Sequence, residues 1–443
     1  MLLEFRIKNY KSFVEETTFN MMAAPKQKGL DYSLCVEKIK GKSVKGLSSS
    51  VIYGPNAAGK TNIIGAMDVL RAIVLRGHIR NAEEKSSPNP AAAALELIPN
   101  NSKEQAEPVE FAVKFIENGM IIDYSLTVDL GVFLDSEYKR KVLKEALLVN
   151  GESVFVREDG LHIGSLKPIG EFVADSVEKN QENLIEIAKN SLNQEELFLT
   201  NGFKLIFSQG FAKLVTDWFT IKFMVIYRAD SIQLIKRFSD PQKKAVYVEK
   251  TTDQAAKLFG INSNGLGYVV SDDDSEAKLC SLFNDSKNHK TAAMAAELFE
   301  SYGTIRFINM FPLVMRAILT GGTLVVDEFD ASIHPMALMS IINIFHNDDI
   351  NIHHAQLIFN THNPIFLNSN LFRRDEIKFV ERDDESHFSR LYSLSDFGTT
   401  GDKGVRKHDD YMKHYFVSEY GAIKDIDFTS LFEEMIESER EVQ

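Results

Sequence analysis

One short segment of the chain combines glycine, lysine and threonine at a spacing that can bind phosphate. Residues 54–61 read GPNAAGKT and fit the pattern GxxxxGK followed by Ser or Thr. Apolar residues 51–53 predict a buried strand before this segment, and apolar residues at helical spacing predict a helix after it. In that order the glycines let consecutive backbone N–H groups point at one anion, and the helix N-terminus adds partial positive charge. The segment is therefore interpreted as the phosphate-binding loop of a nucleotide hydrolase.

The loop supplies two side chains with specific roles. Lys60 would reach the β- and γ-phosphates of ATP, and the Thr61 hydroxyl would hold Mg²⁺. Asn56 would either meet the γ-phosphate or only shape the loop, and the sequence leaves both interpretations open. The alternative for the whole segment is an ordinary glycine turn with an exposed lysine. The predicted nucleotide contacts in the loop are Gly54, Asn56, Ala57, Ala58, Gly59, Lys60, Thr61 and Asn62.

A pair of carboxylates at the end of an apolar strand is the second candidate element. Residues 323–326 read TLVV and are followed by Asp327 and Glu328. A phosphate-binding loop needs such a partner, because Asp327 would bind Mg²⁺ directly or through water and Glu328 would act as base toward the attacking water. An apolar strand that ends in acidic residues is common by itself, so the neighbouring segments decide the interpretation.

Three neighbouring segments support the functional interpretation. Residues 330–335 read DASIHP directly after the two carboxylates, and a second apolar strand at 357–359 ends in NTHNP. Residues 300–304 read ESYGT and precede a long apolar helix that leads into residue 323. Strands that alternate with helices in this way are typical of a parallel α/β sheet.

Together these segments resemble the ABC-type ATPases of the SMC and OLD group. Within that group the chain is most similar to the RloA/AbiLi-type phage-defence ATPases of bacteria. The similarity to this subgroup lies in residues 5–13, in residues 327–335 and in motifs of the tail between residues 392 and 422.

The resemblance implies a role for each segment. Residues 327–328 would be the Walker B motif, and residues 329–335 the D-loop that contacts a second subunit. His362 would be the switch histidine that senses the γ-phosphate. Ser301 and Gly303 would belong to a degenerate signature motif that contacts nucleotide bound to the partner subunit. The predicted catalytic residues are thus Lys60, Glu328 and His362, and the predicted Mg²⁺ ligands are Thr61 and Asp327.

The chain departs from the family pattern at two points. Tyr302 stands where the signature motif has a glycine. The glutamine of the Q-loop is not identified, and three candidates are equally open: Gln181, Gln194 and Gln209.

The predicted fold class is α/β, a P-loop NTPase of ABC-ATPase type with an antiparallel β subdomain and a mostly helical inserted arm. Hairpin signals at Asn118-Gly119 and Asn150-Gly151 support the β subdomain. The predicted boundaries are residues 1–165 for the first part of the ATPase head with the P-loop and the β subdomain, 166–295 for the helical arm, 296–395 for the second part of the head, and 396–443 for the tail.

Composition excludes several classes of protein. The 443 residues carry a formal charge of −13, which argues against general nucleic-acid binding. Basic residues at 236–237 and 243–244 would form either a local patch for DNA or a solvated helix face. Two cysteines exclude a disulfide framework and a multi-cysteine zinc site, and suit a reducing cytoplasm. No apolar run is long enough for a membrane span, and the N-terminal residues do not resemble a signal peptide.

The residues favour an ABC-type ATPase that works as a nucleotide-gated switch, and the resemblance implies a role in anti-phage, abortive-infection defence. Two subunits would meet head to head, or in a higher homo-oligomer. The acidic residues 381–385 are interpreted as a charged hairpin turn and not as a nuclease site. The damaging activity would then lie in a separate protein, and the resemblance implies a Toprim-like or RloB-type nuclease effector, with a phage protein as a candidate trigger. Two alternatives stay open: an SMC-like DNA repair or recombination ATPase that binds DNA directly, and a nucleotide-dependent scaffold with little turnover.

Overall fold

The computed structural model describes most of the chain. The described residues are 1–25, 27, 29–80, 96–102, 105–133, 138–227, 245–270, 277–285, 290–399, 404–406, 409–424 and 426–442. The basic residues at 236–237 and 243–244 lie outside this part.

The described strands and helices are numbered in chain order. The strands are β1 (Leu2–Lys8), β2 (Thr17–Asn20), β3 (Leu34–Ile39), β4 (Lys42–Leu47), β5 (Ser49–Tyr53), β6 (Val109–Glu117), β7 (Met120–Asp129), β8 (Lys141–Val149), β9 (Glu152–Arg157), β10 (Leu161–Ile163), β11 (Phe223–Ile226), β12 (Ala245–Tyr247), β13 (Gly265–Val270), β14 (Ala277–Asp285), β15 (Lys290–Ala295), β16 (Thr323–Val326), β17 (Gln356–Asn360), β18 (Ile377–Arg382) and β19 (Ser389–Ser393). The α-helices are α1 (Lys60–Arg76), α2 (Asp175–Lys179), α3 (Gln181–Asn190), α4 (Lys204–Ile206), α5 (Gln209–Asp217), α6 (Lys250–Phe259), α7 (Tyr302–Thr320), α8 (Pro335–Phe345), α9 (Tyr411–Phe416) and α10 (Thr429–Val442).

The central sheet places the two predicted site strands next to each other. Its strand order is β11–β16–β17–β5–β18–β19, and all neighbours are parallel except β18 and β19. Every residue of β5, β16 and β17 is buried. Successive side chains therefore face two cores: Ile52 and Ile358 pack with α1 on one side, and Val51 and Leu357 pack with α7 and α8 on the other. The α/β class predicted from the sequence is confirmed.

An antiparallel sheet of seven strands forms the predicted β subdomain. Its order is β10–β9–β8–β7–β6–β1–β2, so the N-terminal strand β1 lies between β2 and β6. Asn118 and Gly119 turn the chain between β6 and β7 with φ of 48° and 70°, and Asn150 and Gly151 do the same between β8 and β9 with φ of 52° and 83°. Both predicted hairpins are confirmed, since each turn uses the left-handed conformation that Asn and Gly tolerate.

The predicted arm over residues 166–295 is helical only in its first part. Helical segments dominate the described residues 167–222, and β11 then joins the central sheet. Residues 245–295 contain α6 and a four-stranded antiparallel sheet of β12 to β15. The prediction of a mostly helical arm was wrong for this second part. β13 reads GLGYVV, and its glycines, tyrosine and valines disfavour a helix and suit a strand.

One buried glutamine connects the central sheet to the N-terminal strand. The Gln356 side chain is fully buried; its Oε1 accepts hydrogen bonds from Leu2 N at 2.6 Å and Thr323 Oγ1 at 2.9 Å. Its Nε2 donates to Leu2 O at 3.0 Å and to Leu47 O at 2.8 Å. One side chain thus satisfies polar groups of both sheets and of β4.

No described helix is both long enough and apolar enough to cross a membrane.

We expect Gln356→Ala to lower the free energy of unfolding by about 3 kcal/mol or more, because several buried polar groups lose their partners together. Urea denaturation of the full chain measures this difference. Gln194 is exposed, and Gln194→Ala is the matched control, with an expected change within about 0.5 kcal/mol. A change below about 1 kcal/mol for Gln356→Ala would show that the two sheets do not depend on this side chain.

Candidate functional site

The phosphate-binding loop connects the end of β5 to the start of α1, as predicted. Both of its glycines are required by close neighbours. A Cβ at Gly54 would lie 2.2 Å from the carbonyl oxygen of Val380. A Cβ at Gly59 would lie 2.6 Å from Ser389 Oγ, and Gly59 has a φ of 112°. The loop is therefore packed against β18 and β19, and other residues would be strained at these two positions.

Lys60 is buried at the start of α1, with 5% of its surface exposed. Its ammonium donates hydrogen bonds to the carbonyl oxygens of Gly54 at 2.7 Å and Pro55 at 2.9 Å. Burial lowers the pKa of Lys60 to about 8, and the carboxylates of Glu328 and Asp327 oppose this change. The three predicted residues therefore share one electrostatic environment.

Thr61 and Asp327 meet at the edge of the central sheet. Thr61 Oγ1 donates to Asp327 Oδ1 at 3.1 Å, and Asp327 is buried directly after β16. A hydroxyl and a carboxylate are the oxygen ligands that Mg²⁺ takes alongside nucleotide phosphates. The two residues therefore fit the predicted Mg²⁺ site.

Asn360 is a site residue to which the sequence analysis assigned no role. Its Nδ2 donates to Asp327 Oδ1 at 2.5 Å, and its Oδ1 accepts a hydrogen bond from Glu328 N. Parallel pairing places Val326 beside Phe359, so the next residues of the two strands are neighbours. A polar residue at the end of a buried strand was the available signal, but the pairing of the strands was needed to interpret it.

Glu328 and His362 lie beside the loop with exposed side chains. The Glu328 backbone is left-handed, with a φ of 51°. Partial burial and the nearby Lys60 cation lower the pKa of His362, and the carboxylates of Asp330 and Asp327 oppose this change. The imidazole is thus predominantly neutral near pH 7.

The predicted D-loop is joined to the second strand end and to the predicted signature segment. Thr361 Oγ1 donates to Asp330 Oδ2 at 2.6 Å, and burial raises the pKa of Asp330. A Cβ at Gly303 would lie 2.1 Å from the carbonyl oxygen of Ser332, so the start of α7 packs directly on the D-loop. Ser301 caps α7 by accepting a hydrogen bond from Thr304 N at 3.1 Å.

The structure does not bring all predicted residues together. Within the described part of the chain, no hydrogen bond joins Ser301 or Gly303 to the phosphate-binding loop of the same chain. The same holds for the Q-loop candidates Gln181, Gln194 and Gln209, whose role stays open. Asn56 is exposed on the loop, whereas Asn62 Nδ2 donates to Ser12 Oγ at 2.8 Å and so ties α1 to the N-terminal segment.

A phosphate-binding loop and an Asp-Glu strand end on a parallel sheet define the class: a nucleotide-dependent P-loop ATPase. Residues 49–368 match the family described as "AAA domain, putative AbiEii toxin, Type IV TA system", and the chain belongs to this family.

Among the solved structures similar to the chain are two of SMC head domains. The SMC head domain from Thermotoga maritima has 14% identity and a TM-score of 0.34, with coverage of 88% of this chain and 98% of that one. An SMC head bound to the C-terminal winged-helix domain of ScpA has 11% identity and a TM-score of 0.37, with coverage of 89% and 98%. No curated protein sequence matches. The narrower similarity to the RloA/AbiLi type stays a prediction.

We expect nucleotide affinity to fall as the pH rises above about 8, because the protonated form of Lys60 binds phosphate and its pKa in the free protein is about 8. Above this pH, Lys60 is neutral in the free protein but charged in the complex, so each nucleotide that binds must bring a proton with it. The affinity for nucleotide then falls by about tenfold per pH unit. Titration with a fluorescent ATP analogue between pH 7 and 9.5 measures it. Lys60→Arg is the control, since arginine stays protonated throughout. The same pH dependence in Lys60→Arg would assign the titration to another group.

Proposed function

We propose that this chain is an ATP-hydrolysing switch of a bacterial anti-phage defence system and that it controls a separate toxic nuclease. The site geometry supports the biochemical part of this proposal. For the biological part, the family description supports a toxin–antitoxin context.

The contact between Thr61 and Asp327 carries the biochemical part. It joins the first turn of α1 to the end of β16, which is where Mg²⁺ is held beside phosphates in a P-loop ATPase. The bound ion would neutralise charge that develops on the transferred phosphoryl group.

The other site residues would bind and position the substrate. Lys60 would exchange the carbonyl oxygens of Gly54 and Pro55 for the β- and γ-phosphates. Glu328 would accept a proton from the attacking water. A neutral His362 would hydrogen-bond near the γ-phosphate. Hydrolysis in such a site depends mainly on positioning and charge neutralisation.

A second copy of the chain would complete the site. Ser301 is exposed at the start of α7, and three large apolar side chains are exposed near the D-loop and the end of β17. They are Tyr302 (57%), Met336 (64%) and Ile365 (42%). Head-to-head association would cover these side chains and present Ser301 and Gly303 to the nucleotide of the partner.

The biological part rests on the family. Its description names a putative toxin and a type IV toxin–antitoxin system, which supports a toxin–antitoxin context for this chain. The similarity of the tail to RloA/AbiLi-type proteins points in the same direction. Tyr302 in the signature motif favours one alternative, a nucleotide-dependent scaffold with little turnover.

The first test measures ATP hydrolysis and molecular mass for wild type, Lys60→Ala and Glu328→Gln. We expect Lys60→Ala to lose nucleotide binding. Glu328→Gln should keep binding but lose about 100-fold or more in kcat, because the base is gone. Light scattering should show an ATP-dependent dimer that accumulates in Glu328→Gln. Exposed Glu182 provides the matched control, and Glu182→Gln should behave as wild type.

Three other outcomes would redirect the proposal. No turnover in wild type would leave only the scaffold. Strong stimulation by double-stranded DNA, with a steep salt dependence, would favour the repair ATPase. Phage resistance that survives Lys60→Ala in the native locus would separate the defence role from ATP.

A further inference from the structure

Arg306 is a buried cation on the first turns of α7, with 5% of its surface exposed. Its Nη2 donates a hydrogen bond to the carbonyl oxygen of Glu328. Its Nε and Nη1 are buried and have no hydrogen-bond partner within the described part of the chain. This residue was not among the predicted site residues.

The burial of Arg306 lowers the stability of the folded state. A guanidinium stays protonated at all ordinary pH values, and a buried charge with incomplete hydrogen bonding destabilises a protein. Burial raises the pKa of the nearby Asp330, and Arg306 opposes this change only in part, so the carboxylate offsets only part of that cost. Packing alone does not require a cation here, because an apolar side chain would fill the same space more favourably.

Arg306 binds the backbone carbonyl group of Glu328, the predicted catalytic base. Glu328 has a φ of 51°, a conformation that non-glycine residues adopt only when their surroundings impose it. Asn360, at the end of β17, accepts a hydrogen bond from the backbone N–H of Glu328. Arg306 of α7 donates a hydrogen bond to the backbone C=O of Glu328. Two side chains from different elements therefore fix the direction in which the Glu328 carboxylate leaves the backbone.

The same helix starts at the predicted signature segment, where Ser301 is exposed and Gly303 is buried. Arg306 lies one turn beyond Gly303, whose backbone packs on Ser332 of the D-loop. At the start of this segment, Glu300 accepts hydrogen bonds from Ser263 and Ser281 at 3.0 and 2.9 Å, which ties α7 to the four-stranded sheet. A shift of α7 would therefore move the backbone of Glu328 through one side chain, that of Arg306.

We propose that Arg306 is a positioning residue that holds Glu328 in the conformation needed for hydrolysis and links that conformation to the start of α7. The proposal rests on the proposed ATPase function. Arg306 acts through the Glu328 backbone and not on the nucleotide.

The test compares kcat for ATP hydrolysis with the Kd for a fluorescent ATP analogue in Arg306→Met, Arg306→Lys and wild type. Arg306→Met should lower kcat about 10- to 100-fold, the effect of losing a charged hydrogen bond, with Kd within about threefold of wild type. Arg306→Lys should recover part of kcat, since an ammonium can donate to the same carbonyl oxygen. Arg316 is exposed on the same helix, and Arg316→Met is the matched control, which should leave both quantities unchanged.

The outcomes separate this inference from the proposed function. Unchanged kcat in Arg306→Met, or a loss of kcat that Arg306→Lys does not relieve at all, would overturn the positioning role. A parallel loss of nucleotide affinity and thermal stability would also overturn it, because general damage to the fold lowers all three. If Arg306→Met does not fold, Arg306→Lys decides, since a kcat that falls only in parallel with nucleotide affinity would contradict the inference. A wild type without turnover refutes the proposed function, and this inference with it.

Discussion

The parallel pairing of β16 and β17 is the constraint on which the site depends. It places Asp327 and Asn360 side by side at the same edge of the sheet, so that one amide can bond both the Asp327 carboxylate and the Glu328 backbone. β5 pairs with the other side of β17 and brings the phosphate-binding loop to the same edge. A shift of one residue in either pairing would exchange the two faces of a strand and remove these contacts.

The short strand β17 carries polar anchors at both ends. Gln356 at its start connects the central sheet to β1 and β4, and Asn360 at its end connects the two site strands. The three residues between them are fully buried and apolar. Stability and function thus depend on one five-residue segment, and its polar groups tolerate burial because each has partners.

The site places one buried lysine close to two carboxylates. Burial lowers the pKa of Lys60 toward the physiological range, and two carboxylates face it. Phosphates would restore the full charge of the lysine, and Mg²⁺ would compensate Asp327. The buried guanidinium of Arg306 and the left-handed Glu328 add strain at the same place, which is where enzymes concentrate it.

The sequence by itself determined the local chemistry. The loop at residues 54–61, the strand that ends in Asp327 and Glu328, and the turns at Asn118 and Asn150 all use residue types whose backbone preferences or charges act within a few positions. These predictions needed no knowledge of distant partners, and the fold confirms the strands, turns and helix that they required.

Tertiary structure decided the roles of Asn360, Gln356 and Arg306 and the nature of residues 245–295. A single polar residue on an apolar strand or helix carries no sign of the backbone groups that it will bond, because those groups lie far away in sequence. The four-stranded sheet was mistaken for helix for the same reason, since strands are stabilised by pairing with segments that local propensity does not reveal.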